Sequence, residues 1–156
     1  MAAAARRRKT REGTTTGAKL GVLSRLAEKM HVDGDTVYEA LRAGMDAFST
    51  REEFEDWLNG LAEAFSTLLH EEYGLDNVLV EWWAGADNYT LVPALFYGPF
   101  VFYDKGLTWR AEGGRFAAGM SKEEFEAKVE AWLSRIAERA RNPRAGNIVF
   151  GGELQP

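Results

Sequence analysis

Apolar residues recur along this chain with two different periods, and the change between them divides it. From Lys19 the spacing is helical: Leu20, Leu23, Leu26, Ala27 and Met30 share one face. That predicts a first helix ending near His31. The link Val32-Asp33-Gly34 leads to a second helix over about 35–44, with Val37, Ala40 and Leu41 inward and Asp33 or Asp35 free to cap its start. In Ser49-Thr50-Arg51-Glu52-Glu53, both Ser49/Glu52 and Thr50/Glu53 have capping-box spacing. Phe54, Trp57, Leu58, Leu61, Phe65, Leu68 and Leu69 then form one stripe, and Gly74 is placed to end this third helix in a left-handed conformation.

From Val78 the pattern becomes that of strands. Val78, Val80 and Trp82 alternate against Leu79, Glu81 and Trp83. Trp82 and Trp83 are consecutive, so they leave opposite faces, and one face is expected to pack under the helices. Gly85-Ala86-Asp87-Asn88 reads as a turn. Residues 89–97 make a second strand, in which Pro93 argues for an edge position or a bulge. Gly98-Pro99 breaks the run, and 100–103 form a third strand. Asp104-Lys105-Gly106 suits a tight hairpin with glycine at positive φ, which leaves 107–111 as a fourth strand closed by Gly113-Gly114. Ser121 and Glu124 then make another capping box. Phe125, Val129, Trp132, Leu133, Ile136 and Ala140 mark the inner face of a C-terminal helix, with acids early and arginines late, as the helix dipole favours. Pro143 ends it.

The predicted fold class is α+β: three N-terminal helices, a four-stranded antiparallel meander, and a C-terminal helix packed on the sheet. Residues 1–16 lack large apolar side chains apart from Met1 and read as a disordered basic arm, 17–142 as a single globular domain, and 143–156 as an extended tail. Within that tail Ile148-Val149-Phe150 is an apolar triplet, free to dock on the body or on another chain.

Charge changes the picture more than composition does. The net charge is −5, yet residues 1–25 hold seven Lys/Arg against one acid, Glu12, a charge of +6, and the remainder carries −11. A basic arm on an acidic body reads either as a solubilising disordered tail or as an arm for nucleic-acid phosphates or for an acidic protein surface. There is no cysteine, which excludes disulfides, thiolate metal sites and cysteine nucleophiles. Mean hydropathy is −0.33, no apolar run approaches the ~18 residues of a membrane span, and the N-terminus has no apolar signal core. The expectation is a cytoplasmic protein with no membrane partner.

Catalytic chemistry finds little support. His70-Glu71-Glu72 lacks the second histidine of a zinc helix, and Asp33 and Asp35 are better explained as caps than as metal ligands. Glu52/Glu53 and Glu123/Glu124 occupy first turns. Gly113-Gly114 lacks the lysine and spacing of a phosphate loop, and no serine sits in a nucleophile elbow. No enzyme activity, metal or cofactor is expected.

One stretch carries a functional signal. Leu23-Ser24-Arg25-Leu26-Ala27 runs on through Lys29, His31, Val32 and Asp33 to Thr36-Val37-Tyr38-Glu39-Ala40-Leu41-Arg42. It resembles the helix-turn-helix family of DNA-binding segments. Ala27 stands at the helix crossing, Val32 lies in the turn, and Val37 and Ala40 hold the second helix. The resemblance implies a second helix that enters the major groove with Thr36 and Tyr38 toward it. The segment departs from the pattern in two ways. His31 occupies the usual turn glycine, and Asp33, Gly34, Asp35 and Glu39 fall where base and backbone contacts would be. A second resemblance covers Val32-Asp33, Leu41-Arg42-Ala43, Phe48, Thr50, Tyr73-Gly74-Leu75 and Val92-Pro93, which are similar to the opening half of phage single-strand annealing proteins of the RecT kind. It implies single-stranded DNA binding on a cationic groove with stacked aromatics.

The leading expectation is therefore a small non-enzymatic nucleic-acid-binding accessory protein of a phage or mobile element. Arg6, Arg7, Arg8, Lys9 and Arg11 would grip phosphates, and Lys19, Arg25 and Lys29 would extend that surface. The alternatives are a protein-binding module whose acidic body docks on a basic partner, or a particle component laced together by its termini. Oligomerisation through the sheet face or the C-terminal tail is open to each.

Overall fold

The computed structural model describes residues 21–111, 119–142 and 149–150. The basic arm, the glycine pair 113–114 and most of the C-terminal tail lie outside the described residues. The fold is α+β, with three helices, an antiparallel sheet and a last helix, in the expected order.

Helices α1 (Val22–Met30), α2 (Gly34–Ala43) and α3 (Arg51–Tyr73) come first, with a short 3-10 turn at Met45–Ala47. Local chemistry sets their ends. Of the two candidate aspartates it is Asp33 that caps α2, its carboxylate accepting the Thr36 N–H at 2.9 Å. Thr50 caps α3 by accepting from the Glu53 N–H at 3.1 Å, and the Glu53 carboxylate reaches back to the Ser49 N–H. Gly74 ends α3 at φ 68°. α1 has no cap of its own. A carboxylate from the far end of the chain supplies one: Glu126 accepts the Leu23 N–H at 3.0 Å. The fourth helix, α4 (Lys122–Arg141), opens with the full Ser121/Glu124 capping box.

The sheet comprises β1 (Val78–Ala84), β2 (Asn88–Tyr97), β3 (Phe100–Tyr103), β4 (Leu107–Arg110) and β5 (Val149–Phe150). β1 pairs with β2 from Val78↔Leu95 to Ala84↔Tyr89. On the other edge of β2, β3 covers one half, Tyr97↔Phe100 to Ala94↔Tyr103, and β4 covers the other, Leu91↔Leu107 to Asn88↔Arg110. β5 pairs with β3, so the two described residues of the apolar tail triplet dock on the body.

This topology corrects the expected hairpin at Asp104-Lys105-Gly106. β4 does not fold back on β3; it continues in the same line. Between the Tyr103 and Leu107 pairings the strand has one residue more than β2 has between Ala94 and Leu91, which makes a bulge. The bulge suits α4, which grips it. Arg135 holds the Asp104 carboxylate at 3.1 Å, and the Trp132 indole donates to the Lys105 carbonyl at 2.8 Å. Nor does Gly106 take a positive φ. It is needed for close approach, since a Cβ there would sit 2.2 Å from the Leu91 carbonyl oxygen.

The bulge also accommodates Pro93. That residue lies in the central strand, not at an edge. Its carbonyl accepts the Asp104 N–H at 3.1 Å, so its nitrogen faces the same side. There the ladder is already interrupted, and the missing N–H leaves no partner stranded.

The core lies between the helices and the inner sheet face. Leu23 and Leu26, Val37 and Leu41, Phe54, Leu58, Leu61 and Phe65, and Phe125, Leu133 and Ile136 meet Val80, Tyr89, Leu91, Leu95 and Trp109. Phe54 and Phe65 stand edge-on to Tyr89 and Trp132, at 4.9 and 5.2 Å. Trp82 faces these helices and donates to Asn59 of α3 at 2.6 Å. The free edge of β1 is tied to the same helix, where Ser66 Oγ accepts the Val80 N–H at 2.8 Å. No helix among the described residues is long and apolar enough to cross a membrane.

Candidate functional site

α1 and α2 form a tight helical hairpin. Its turn is made by His31 at φ 61°, the one non-glycine residue at positive φ among those described. With His31 left-handed, the Val32 N–H bonds back to the Ala27 carbonyl at 3.0 Å and closes α1. Ala27, Val37 and Ala40 are buried at the crossing.

The residues expected to meet nucleic acid are not brought together as a cationic surface. Arg6, Arg7, Arg8, Lys9, Arg11 and Lys19 lie outside the described residues. Arg25 is only 5% exposed. Its guanidinium bonds Glu72 of α3 at 2.9 Å and Glu130 of α4 at 3.0 and 3.3 Å. Burial works against its charge, but the two carboxylates outweigh burial and hold its proton more firmly than usual. Lys29 pairs with Glu71 at 3.0 Å. Tyr38 turns inward: its hydroxyl donates to the Met120 carbonyl at 3.0 Å and its ring stands edge-on to Phe125. Arg25 thus lies among α1, α3 and α4, and the Tyr38 hydroxyl is taken up by the chain just before α4. Arg25 occupies a turn of α1 that faces α3 and α4, where only paired charge is tolerated.

Thr36 alone of the four described candidates is exposed, and its surroundings are acidic. Its hydroxyl donates to Asp33 at 3.0 Å. The backbone and hydroxyl bonds from Thr36 hold the Asp33 carboxyl below the usual carboxylate range. Asp35 takes Lys122 at 2.7 Å, and Glu39 takes Arg42 at 2.7 Å. The outer face of α2 therefore presents carboxylates where the helix-turn-helix resemblance would need phosphate donors.

Behind this acidic face lies a cleft of about 550 Å³ between α2 and the start of α3. Asp33, Asp35 and Glu39 line one side, and Ala40, Ala47, Phe48 and Trp57 supply apolar walls. Phe48 and Trp57 are half-buried, with ring centres 5.7 Å apart, and Trp57 stacks on the buried Phe54 at 6.3 Å. The Trp57 indole N–H is buried without a hydrogen-bond partner. Trp57 also lines a second cleft of about 620 Å³, with Met30, Val32, Asp56 and Glu63 among its walls. Val32 is 40% exposed. Sequence reasoning missed these clefts. Trp57 reads as one more member of an apolar stripe, and only the placing of α2 leaves its ring half open.

The outer sheet face also carries aromatic side chains. Trp83 and Tyr103 lie there and meet each other edge-on at 4.9 Å, and Val92 between their strands is buried. Trp83 donates to Glu81 at 3.1 Å, which puts an acid beside the rings. Burial, and then Glu81, pushes the Tyr103 hydroxyl up. Among the described residues no three His, Asp or Glu side chains gather as metal ligands. No protein-family model matches this chain, and neither a curated protein nor a solved structure does.

Proposed function

We propose that the folded part of this chain is a non-enzymatic protein-binding module that docks on a basic partner. One observation carries the reading. Arg25 and Lys29 are drawn into ion pairs with α3 and α4, while Asp33, Asp35 and Glu39 stand at the rim of an apolar cleft and outnumber the two cations, Lys122 and Arg42, that pair with Asp35 and Glu39. Such a surface repels phosphates and steers cationic partners toward it.

A second reading keeps the nucleic-acid role and places it wholly on the arm. The cluster Arg6, Arg7, Arg8, Lys9 and Arg11 supports it. One comparison separates the two. The intact chain and a variant with these five residues changed to Gln are titrated with an Arg/Lys-rich peptide and with single- and double-stranded DNA, at stepped salt. The proposal expects both proteins to bind the peptide, more weakly as salt rises. Failure of both to bind it at low salt sinks the proposal. DNA binding by the intact chain that vanishes in the variant establishes the arm reading.

A further inference from the structure

Resting on that reading, we infer that the paired clefts bordered by Trp57 are the docking site, and that they take a basic peptide segment with one apolar side chain for each cleft. Charge alone does not require a cleft; the shape here does. The first cleft, at about 550 Å³, falls within the ~300–1,000 Å³ typical of built ligand sites. Its walls are Ala40, Ala47, Phe48 and Trp57, with nothing but carboxylates and the Thr36 hydroxyl on its polar side. An apolar anchor is what such walls bind, because half-buried rings lose their remaining water only when covered.

The second cleft makes the ligand a chain. Trp57 borders both spaces, so a segment that fills the first can run on past this residue into the second. There Met30 and Val32 repeat the apolar wall, and Asp56 and Glu63 repeat the acidic border. Lys29, which also lines this cleft, is already paired with Glu71. Apolar walls with acids flanking both sides complement a segment in which Lys or Arg brackets bulky apolar residues. The excess of carboxylates at both clefts disfavours a polyanion.

The test uses the full chain and two synthetic peptides of one length and charge. One carries two Leu residues among Lys and Arg; the other has Ser in place of each Leu. Binding is followed by calorimetry. The Leu peptide should bind at least tenfold more tightly than the Ser peptide. Ala47→Trp, which fills the first cleft from an exposed position, should remove most of that advantage. Trp57→Ala should do the same, and circular dichroism checks that each variant is folded. Glu39→Gln with Asp56→Asn should weaken both peptides and flatten the dependence of affinity on salt. Equal affinity for the two peptides, or a Leu advantage that survives Ala47→Trp undiminished, overturns the docking site and leaves the acidic-module reading standing. Binding of neither peptide overturns both.

Discussion

The Arg25 guanidinium of α1 meets the Glu130 carboxylate of α4 through two nitrogens, at 3.0 and 3.3 Å, and its third takes Glu72 of α3 at 2.9 Å. One cation thus ties three helices together and is withdrawn from any ligand. Arg25→Ala should therefore act on stability. Breaking a buried pair costs about 3–5 kcal/mol, and about 2 is expected here because Glu72 and Glu130 both reach solvent. Arg25→Lys should lose less, since an ammonium keeps the charge, but should still lose some, because it cannot reproduce the fork. Urea unfolding measures both. A stable Arg25→Ala variant with reduced ligand binding would show that this arginine has another task.

Gly106→Ala tests the bulge. The added Cβ would meet backbone, the Leu91 carbonyl at 2.2 Å, and backbone cannot turn aside as a side chain can. The variant should lose about 2 kcal/mol or more of stability. A free hairpin turn with glycine at positive φ predicts a loss nearer 1 kcal/mol. Thermal melting of the two proteins distinguishes these.

His31 holds a conformation that glycine adopts at little steric cost. At φ 61° and ψ 40° an L-residue carries about 1 kcal/mol of strain. His31→Gly relieves it, partly offset by the greater freedom of glycine in the unfolded chain. A stabilisation of up to about 1 kcal/mol is expected in urea unfolding. Destabilisation would show that the imidazole makes a contact the hairpin depends on.

Alkali should loosen the joint between α4 and the sheet. The Tyr97 hydroxyl donates to the Arg139 carbonyl, and burial, followed by Asp104, pushes its pKa above the ordinary 10.0. Tyr73 is raised in the same direction, first by burial and then by Glu130. In each case the folded state keeps the proton longer than the unfolded chain does. The stabilisation is complete below pH 10 and declines as pH rises from 10 toward the folded value. Melting temperature should fall above pH 10, and less steeply in Tyr97→Phe. Equal slopes for the two proteins would remove Tyr97 from the account.

Most of the fold was legible because its signals are local. Thr50 with Glu53, Ser121 with Glu124, and Gly74 act within a few residues of themselves. Pro93 pointed to an edge or a bulge in its own strand; it lies in the central strand, opposite a bulge in the neighbouring one. The bulge itself was hidden, since Asp104-Lys105-Gly106 has the composition of a turn. What keeps it extended is Trp132 and Arg135, 27 and 31 residues from their partners. The candidate site failed to show for the same reason. Arg25 lies 47 residues from Glu72 and 105 from Glu130, and no spacing rule relates them. The exposure of Trp57 depends on where α2 comes to rest, which periodicity along α3 does not contain.

The claim that the carboxylate-bordered surface between α2 and α3 is where this protein meets its partner is tested most directly by mapping. The ¹⁵N-labelled full chain is titrated with the Leu-bearing basic peptide, and amide shifts are followed residue by residue. The account predicts changes gathered at residues 30–40, 46–48 and 56–63, together with the Trp57 indole N–H. Shifts scattered evenly over every acidic surface, or confined to the sheet with Trp57 unmoved, would contradict it.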